Sequence, residues 1–180
     1  LEIPGRYDSD RIHIGIDWLE SVAFEHIESI GKRVLIIGVG NTAMDCCRTS
    51  LRIGADDVKV MARKPREFFK ASAWELEDAE EENIEIITNH SPKEFVIEDG
   101  KLVGMNFELM EYNIDENGRI DRGAVKGEKF IACDDVVLAI GQDNGREALS
   151  LRGELGLSGQ VTGKEVLQDA AVGCVGHDGV

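Results

Sequence analysis

Residues 33–45 of this chain read Arg33-Val34-Leu35-Ile36-Ile37-Gly38-Val39-Gly40-Asn41-Thr42-Ala43-Met44-Asp45. The apolar run from Val34 to Ile37 has the length and the β-branched content of a strand buried in a parallel sheet. Gly38 and Gly40 follow at once, and Ala43 completes a Gly-x-Gly-x-x-Ala pattern. This order predicts a strand, a tight turn and a helix, which is the arrangement that binds the pyrophosphate of a dinucleotide.

Each small residue of the turn has a predicted role. Gly38 would permit the tight turn, Gly40 would let a pyrophosphate approach the backbone, and Ala43 would let the helix pack closely on the strand. The amides of Asn41 and Thr42 would open the helix, where unpaired N–H groups and the helix dipole attract a phosphate. Because the pattern alone is a weak signal, a strand–turn–helix corner without a ligand is the alternative.

The end of the second strand bears on the choice of cofactor. That strand is predicted at Val58–Ala62, one helix after the first, which completes a βαβ unit. NAD sites usually hold an acidic residue there for the ribose 2′-hydroxyl. Here Arg63 and Lys64 follow the strand, and Arg66 comes soon after. Cations without a carboxylate favour the 2′-phosphate of NADP; a basic loop without this role is the alternative.

Apolar periodicity predicts three helices. The second runs from Asn41 to about Arg52, and the third runs from a capping box at Ser72 and Glu75 to about Glu82. The acidic run of the third helix, residues 75–82, is expected to be a solvated face. The first helix is expected within Ile14–Ile30, with a buried face made of Ile16, Leu19, Ala23, Phe24 and Ile27.

The remaining segments predict strands and complete the fold class. A third strand is expected at Ile84–Thr88, and a buried strand at Asp135–Ile140. Between them we expect a meander of antiparallel strands at Glu94–Glu98, Leu102–Tyr112 and Lys129–Cys133. The predicted class is α/β: a Rossmann-like NAD(P)-binding domain with a parallel sheet, helices on both faces and an antiparallel β-meander flap.

Composition excludes several classes of function. The 180 residues carry a net charge of −15, which disfavours binding to nucleic acid or to an anionic membrane. No apolar run is long enough to cross a bilayer. The cysteines show no zinc or iron–sulfur spacing and the four histidines show no metal spacing, so we predict no metal site and reduced, packed thiols in a cytoplasmic protein. The cysteines are Cys46, Cys47, Cys133 and Cys174.

With these motifs the chain resembles the glutamate synthase small subunit, whose relatives include the flavin half of dihydropyrimidine dehydrogenase and the large subunit of ferredoxin–NADP transhydrogenase. Four motifs carry the resemblance in this order: Gly38–Arg48, Arg52–Ala55, Ala62–Lys64 and Ala139–Gln142. The opening Leu1–Gly5 is similar to the family's crossing from an FAD domain into an NADPH domain, so the chain is expected to be part of a longer protein.

The resemblance implies an oxidoreductase in which NADPH gives hydride to FAD and electrons pass to iron–sulfur centres or a partner subunit. It implies that no protein residue is catalytic. Residues 1–32 would be the linker and helix from the FAD-domain crossover, 33–142 the NADPH domain, and 143–180 the return toward an FAD domain. The alternative is a non-catalytic NADP(H)-binding or sensing module. The family's first FAD fingerprint does not occur in the sequence, so this chain is not expected to retain FAD.

The resemblance also assigns the site. The pyrophosphate would be held by Gly38, Gly40, Asn41, Thr42 and Ala43; the 2′-phosphate by Arg63 and Lys64; and the nicotinamide would lie near Gly141 and Gln142.

Overall fold

A computed structural model describes residues 1–121 and 123–140. In chain order its elements are β1 (Ile12–Ile14), α1 (Gly15–Ala23), β2 (Arg33–Ile37), α2 (Asn41–Arg52), β3 (Asp57–Met61), α3 (Ala73–Glu81), β4 (Glu85–Ile87), β5 (His90–Glu98), β6 (Lys101–Glu111), β7 (Ala124–Ala132) and β8 (Asp135–Leu138). A short 3-10 helix, Arg66–Phe68, lies between β3 and α3.

Five of these strands form a parallel sheet in the order β1-β8-β2-β3-β4. In the centre, Ile37 of β2 is in register with Met61 of β3 on one side and with Leu138 of β8 on the other. The carboxyl ends of these strands therefore meet at one edge, where open α/β sheets bind their ligands. Strands β5, β6 and β7 form a separate antiparallel sheet.

The two faces of the parallel sheet are covered by different layers. Side chains of a strand alternate between faces, so Val34, Ile36 and Val60 enter a core with residues of α1, α2 and α3. The intervening side chains enter a second core with residues of the antiparallel sheet; this core includes Leu35, Ile37, Met61, Val136, Leu138, Phe95, Leu102, Met105 and Phe107.

The predicted Rossmann-like class with an antiparallel meander is confirmed, but the placement of the helices differs from the prediction. All three helices of residues 1–121 and 123–140 lie on one face, and the meander covers the other. The physical reason is that β6 presents large apolar side chains, such as Met105 and Phe107, which are fully buried. The meander is thus a layer of the core rather than a flap.

The second and third helices are confirmed, whereas the first is shorter than predicted. α1 ends at Ala23, because Glu25 turns into the left-handed region with φ of 57° and the amides of His26 and Ile27 bond back to the carbonyl of Ser21. The predicted face is wrong at Ile16, Ala23 and Phe24, which are exposed. Trp18, only 2% exposed, is the anchor of this helix instead.

The acidic run of α3 is not only a solvated face. Glu75 is buried in the predicted capping box with Ser72. Arg48 of α2 contacts Asp78 at 3.0 Å and Glu82 at 2.6 Å. Part of the run therefore joins α3 to α2, because the two helices lie side by side on the same face of the sheet.

The described cysteines are packing residues, as predicted. Cys46, Cys47 and Cys133 are buried and unpaired, and burial raises the pKa of each thiol to about 12. Cys174 and the predicted segment 143–180 lie outside the described residues. Residues 1–32 supply β1 and α1, and their boundary with 33–142 stays a prediction. None of the described helices is long and apolar enough to span a membrane.

Candidate functional site

Gly38 lies where the chain leaves β2, and the protein itself requires a glycine there. Its φ is +125°, a conformation that side chains disfavour. A Cβ at this position would lie 2.4 Å from the carbonyl oxygen of Ala139, just beyond β8. The amide of Gly38 donates to the carbonyl of Met61 at 3.2 Å. Gly38 therefore has the turn-forming role predicted for it, set by the close passage of a neighbouring strand.

Gly40 is different, since nothing in the described chain requires a glycine there. Its backbone is extended, with φ of −106°, and a Cβ would meet no atom of residues 1–121 and 123–140 within 4 Å. These residues leave the space over Gly40 open. A glycine that the fold does not need is the feature expected where a ligand approaches the backbone closely.

The N-terminus of α2 is open to an anion. The Gly40 carbonyl accepts the amides of Ala43 and Met44, so the amides of Asn41 and Thr42 precede the first helical bonds. Gly40, the N-cap residue, has no side chain to bond them, and the first turn of α2 holds no acidic residue. By contrast, α1 and α3 each carry an acidic residue in the first turn, Asp17 and Glu75.

Ala43 and a second loop complete the surroundings of the turn. Ala43 is 0% exposed and packs in the helix-side core, as its predicted role requires. The carbonyl of Val39 accepts the amides of Lys70 and Ala71 at 3.1 and 3.0 Å. The loop between the 3-10 helix and α3 therefore lies against the glycine turn, a contact that no sequence pattern predicts.

Arg63 and Lys64 lie in the loop after β3, on the strand next to the glycine turn. Arg63 is exposed and Lys64 is half-buried. Both line a pocket of about 410 Å³, whose other walls come from β5, β6 and the loop after β6: Ser91, Met110, Tyr112, Ile120 and Asp121. Within residues 1–121 and 123–140, neither cation forms an ion pair.

Arg66 is not available in the same way. Its guanidinium is hydrogen-bonded to Glu80 of α3, and this contact raises the pKa of Arg66 and lowers that of Glu80. Of the described basic residues in this loop, Arg63 and Lys64 therefore line the pocket without an ion-pair partner among residues 1–121 and 123–140.

Asp121 places a carboxylate in the same pocket, but its oxygens already have partners. They accept the backbone amides of Asn113 and Gly123 at 3.1 and 2.8 Å and the side-chain amide of Asn113 at 2.8 Å. These hydrogen bonds lower the pKa of Asp121, and the bond from the Asn113 side chain has the largest effect. Sequence reasoning missed Asp121, Ser91 and Tyr112, because only strand pairing brings them to the loop after β3.

Gly141 and Gln142, predicted near the nicotinamide, lie outside the described residues. The start of their motif is described: the amide of Ala139 donates to the carbonyl of Ile37 at 2.9 Å. The Ala139–Gln142 motif thus begins beside the end of β2, next to the glycine turn.

The chain matches the family model for pyridine nucleotide-disulphide oxidoreductases over residues 1–170. It is 34% identical over 132 residues to the beta subunit of an NADPH-Fe(3+) oxidoreductase of Geobacter sulfurreducens, covering 72% of this chain and 20% of that protein. It is 33% identical over 135 residues to the small chain of the NADPH glutamate synthase of Azospirillum brasilense, covering 74% of this chain and 28% of the relative.

A solved structure supports the fold. FprA of Mycobacterium tuberculosis, determined in complex with NADPH, superimposes with a TM-score of 0.63 at 18% identity, covering 78% of this chain and 47% of that one. The chain therefore spans less than half of that structure, and less than a third of the two curated relatives. The family model, the two relatives and the fold agree with the motifs, and the chain belongs to the pyridine nucleotide-disulphide oxidoreductase family.

Proposed function

We propose that this chain is the NADPH-binding domain of a flavin-dependent pyridine nucleotide oxidoreductase similar to the glutamate synthase small subunit. One observation carries the proposal: an open glycine and an uncapped helix follow β2, and β3 is followed by two cations that form no ion pair with any described residue. β2 and β3 are hydrogen-bonded neighbours, so their ends lie ~5 Å apart. One dinucleotide can therefore reach both places.

The residues fit such a nucleotide. Gly40, with the amides of Asn41 and Thr42, would hold the pyrophosphate, while Gly38 and Ala43 shape the turn. Arg63 and Lys64 would hold the 2′-phosphate. When bound, NADPH supplies a hydride to a flavin; the residues of this chain bind and orient the nucleotide, and none of them needs to move a proton. The contact of Gly141 and Gln142 with the nicotinamide is part of the proposal.

The proposal also covers the domains and subunits that would work with this chain. We infer that an FAD domain takes the hydride and that an iron–sulfur or catalytic partner subunit receives the electrons, since the relatives are named as subunits or chains of larger enzymes. Residues 143–180 would return toward the FAD domain, and FAD would not stay on this chain. We place the protein in the cytoplasm, because its described thiols are unpaired.

Two measurements test the proposal. Calorimetric titration of this chain should show that NADPH binds more tightly than NADH, with a dissociation constant lower by a factor of some tens. A higher affinity for NADH would contradict the assignment of the cofactor.

The second measurement concerns the flavin. The purified full-length protein should show flavin absorbance that bleaches when it is mixed rapidly with NADPH. A full-length protein that binds NADPH but contains no flavin would instead be a non-catalytic sensing module.

A further inference from the structure

We propose that Tyr112 is a positioning residue for recognition of the 2′-phosphate: it fixes the backbone of Arg63 against the antiparallel sheet. The inference rests on the proposed function. It concerns a residue that follows β6, on a different layer from the βαβ unit that carries the dinucleotide motif.

The loop after β3 is held at two successive carbonyls. The hydroxyl of Tyr112 donates to the carbonyl of Arg63 at 2.8 Å. The amide of His90, at the start of β5, donates to the carbonyl of Ala62 at 2.9 Å, and the amide of Ala62 donates to Ile87 at 2.8 Å. The peptide that carries Arg63 is therefore fixed on one side by β4 and β5, and on the other by the hydroxyl of Tyr112.

The ring of Tyr112 is itself held in place. Gly123 adopts φ of +74°, and a Cβ there would lie 2.6 Å from Cε1 of Tyr112, so the backbone of the loop lies directly against the ring. Asp121 closes the base of this loop through its bonds to Asn113 and Gly123. Burial raises the pKa of Tyr112, so the hydroxyl stays protonated and can donate at neutral pH.

The position of Arg63 matters because the pocket contains charges of both signs. Arg63, Lys64 and Asp121 all line it, and the hydrogen bonds to Asp121 favour its ionised form. Two cations oppose one carboxylate, so the pocket attracts a phosphate, and the attraction is stronger the nearer the phosphate lies to the cations and the farther it lies from Asp121, since Coulomb energy falls with distance. Fixing the backbone of Arg63 therefore decides how well the site separates a 2′-phosphate from a 2′-hydroxyl.

The test compares Tyr112→Phe, which keeps the ring and removes the hydroxyl, with wild type. The probes are adenosine 2′,5′-bisphosphate and AMP, which differ only in the 2′-phosphate, and their dissociation constants are measured by calorimetry at fixed ionic strength. We expect bisphosphate binding to weaken by roughly three- to tenfold and AMP binding to stay unchanged. Tyr7→Phe is the matched control, because Tyr7 is exposed and its hydroxyl donates to Glu2.

A double-mutant cycle shows whether Tyr112 acts through Arg63. In an Arg63→Ala background, Tyr112→Phe should cause little further loss of bisphosphate affinity. Equal weakening of both probes would mean that Tyr112 only supports the fold, and the inference would be wrong.

The remaining outcomes separate this inference from the proposed function. If wild type prefers the bisphosphate and Arg63→Ala loses that preference while Tyr112→Phe keeps it, the cofactor assignment stands and the positioning role fails. If wild type binds the two probes equally, the 2′-phosphate assignment fails, and the inference fails with it.

Discussion

The two halves of the candidate nucleotide site are built in different ways. The glycine turn comes from one continuous stretch, residues 33–45, and its geometry follows from β2, α2 and the passage of β8 beside Gly38. The Arg63–Lys64 loop begins at β3, but its pocket is completed by residues of β5, β6 and the loop after β6. The half that would hold the shared pyrophosphate is local in sequence, whereas the half that would select the cofactor depends on contacts between two sheets.

The largest expected effect is that of Gly40→Val on nucleotide binding. The side chain would enter the space above the turn, where a Cβ meets none of the described residues within 4 Å. We expect the domain to stay folded and the affinity for NADPH and NADH to fall more than about a hundredfold, or ~3 kcal/mol. Calorimetry and a thermal melt measure both quantities. Unchanged affinity in a folded Gly40→Val protein would show that the pyrophosphate does not lie here.

Gly38→Ala tests the other glycine of the same turn and should act on folding instead. Its Cβ would lie 2.4 Å from a backbone oxygen of Ala139 at a residue with φ of +125°. We expect the free energy of unfolding to fall by about 3 kcal/mol. Denaturant titration gives this value. A Gly38→Ala variant as stable as wild type would contradict the close approach of the Ala139 backbone to Gly38.

The contrast between the halves also explains what the sequence can predict. The βαβ unit, the turn at Gly38 and the capping box follow from short-range patterns and are confirmed in their positions. The role of Gly40 at a pyrophosphate stays a prediction. The shorter α1 could not be predicted, because no glycine or proline marks its end at Ala23. Tyr112 and Asp121 could not be placed beside Arg63, because sequence spacing says nothing about which face of the parallel sheet the meander covers.

Removing both cations tests the long-range half. We expect Arg63→Ala with Lys64→Ala to weaken NADPH binding roughly ten- to hundredfold while leaving NADH nearly unchanged, since a charge-assisted bond is worth ~1.5–3 kcal/mol before screening by salt. Dissociation constants for both nucleotides at one ionic strength give the answer. Arg66→Ala is the matched control and should keep the preference, because Arg66 is paired with Glu80. Equal losses for both nucleotides would place the pair on the pyrophosphate instead.

The smallest expected effect has opposite signs for stability and for binding. Asn41→Asp would place a carboxylate in the first turn of α2, which lacks one. It should stabilise the fold by ~0.5 kcal/mol through the helix dipole and weaken both nucleotides about threefold by repelling the pyrophosphate. Asn41→Ser serves as the uncharged control. Tighter nucleotide binding by Asn41→Asp would contradict the binding of the pyrophosphate at the N-terminus of α2.

The position of β8 has a consequence for the order of events during synthesis. β8 lies between β1 and β2 in the sheet. In the sequence, however, β8 begins only at Asp135, after the helices α2 and α3 and the whole antiparallel meander. Until β8 has left the ribosome, β1 has no neighbour in this sheet and β2 exposes one edge. Such long-range pairing is slow because the loop must close before the contact is gained. Helix α2, whose N-terminus belongs to the nucleotide site, can form early, whereas β8, which leads into the Ala139 backbone beside Gly38, is the last of the described strands to be synthesised.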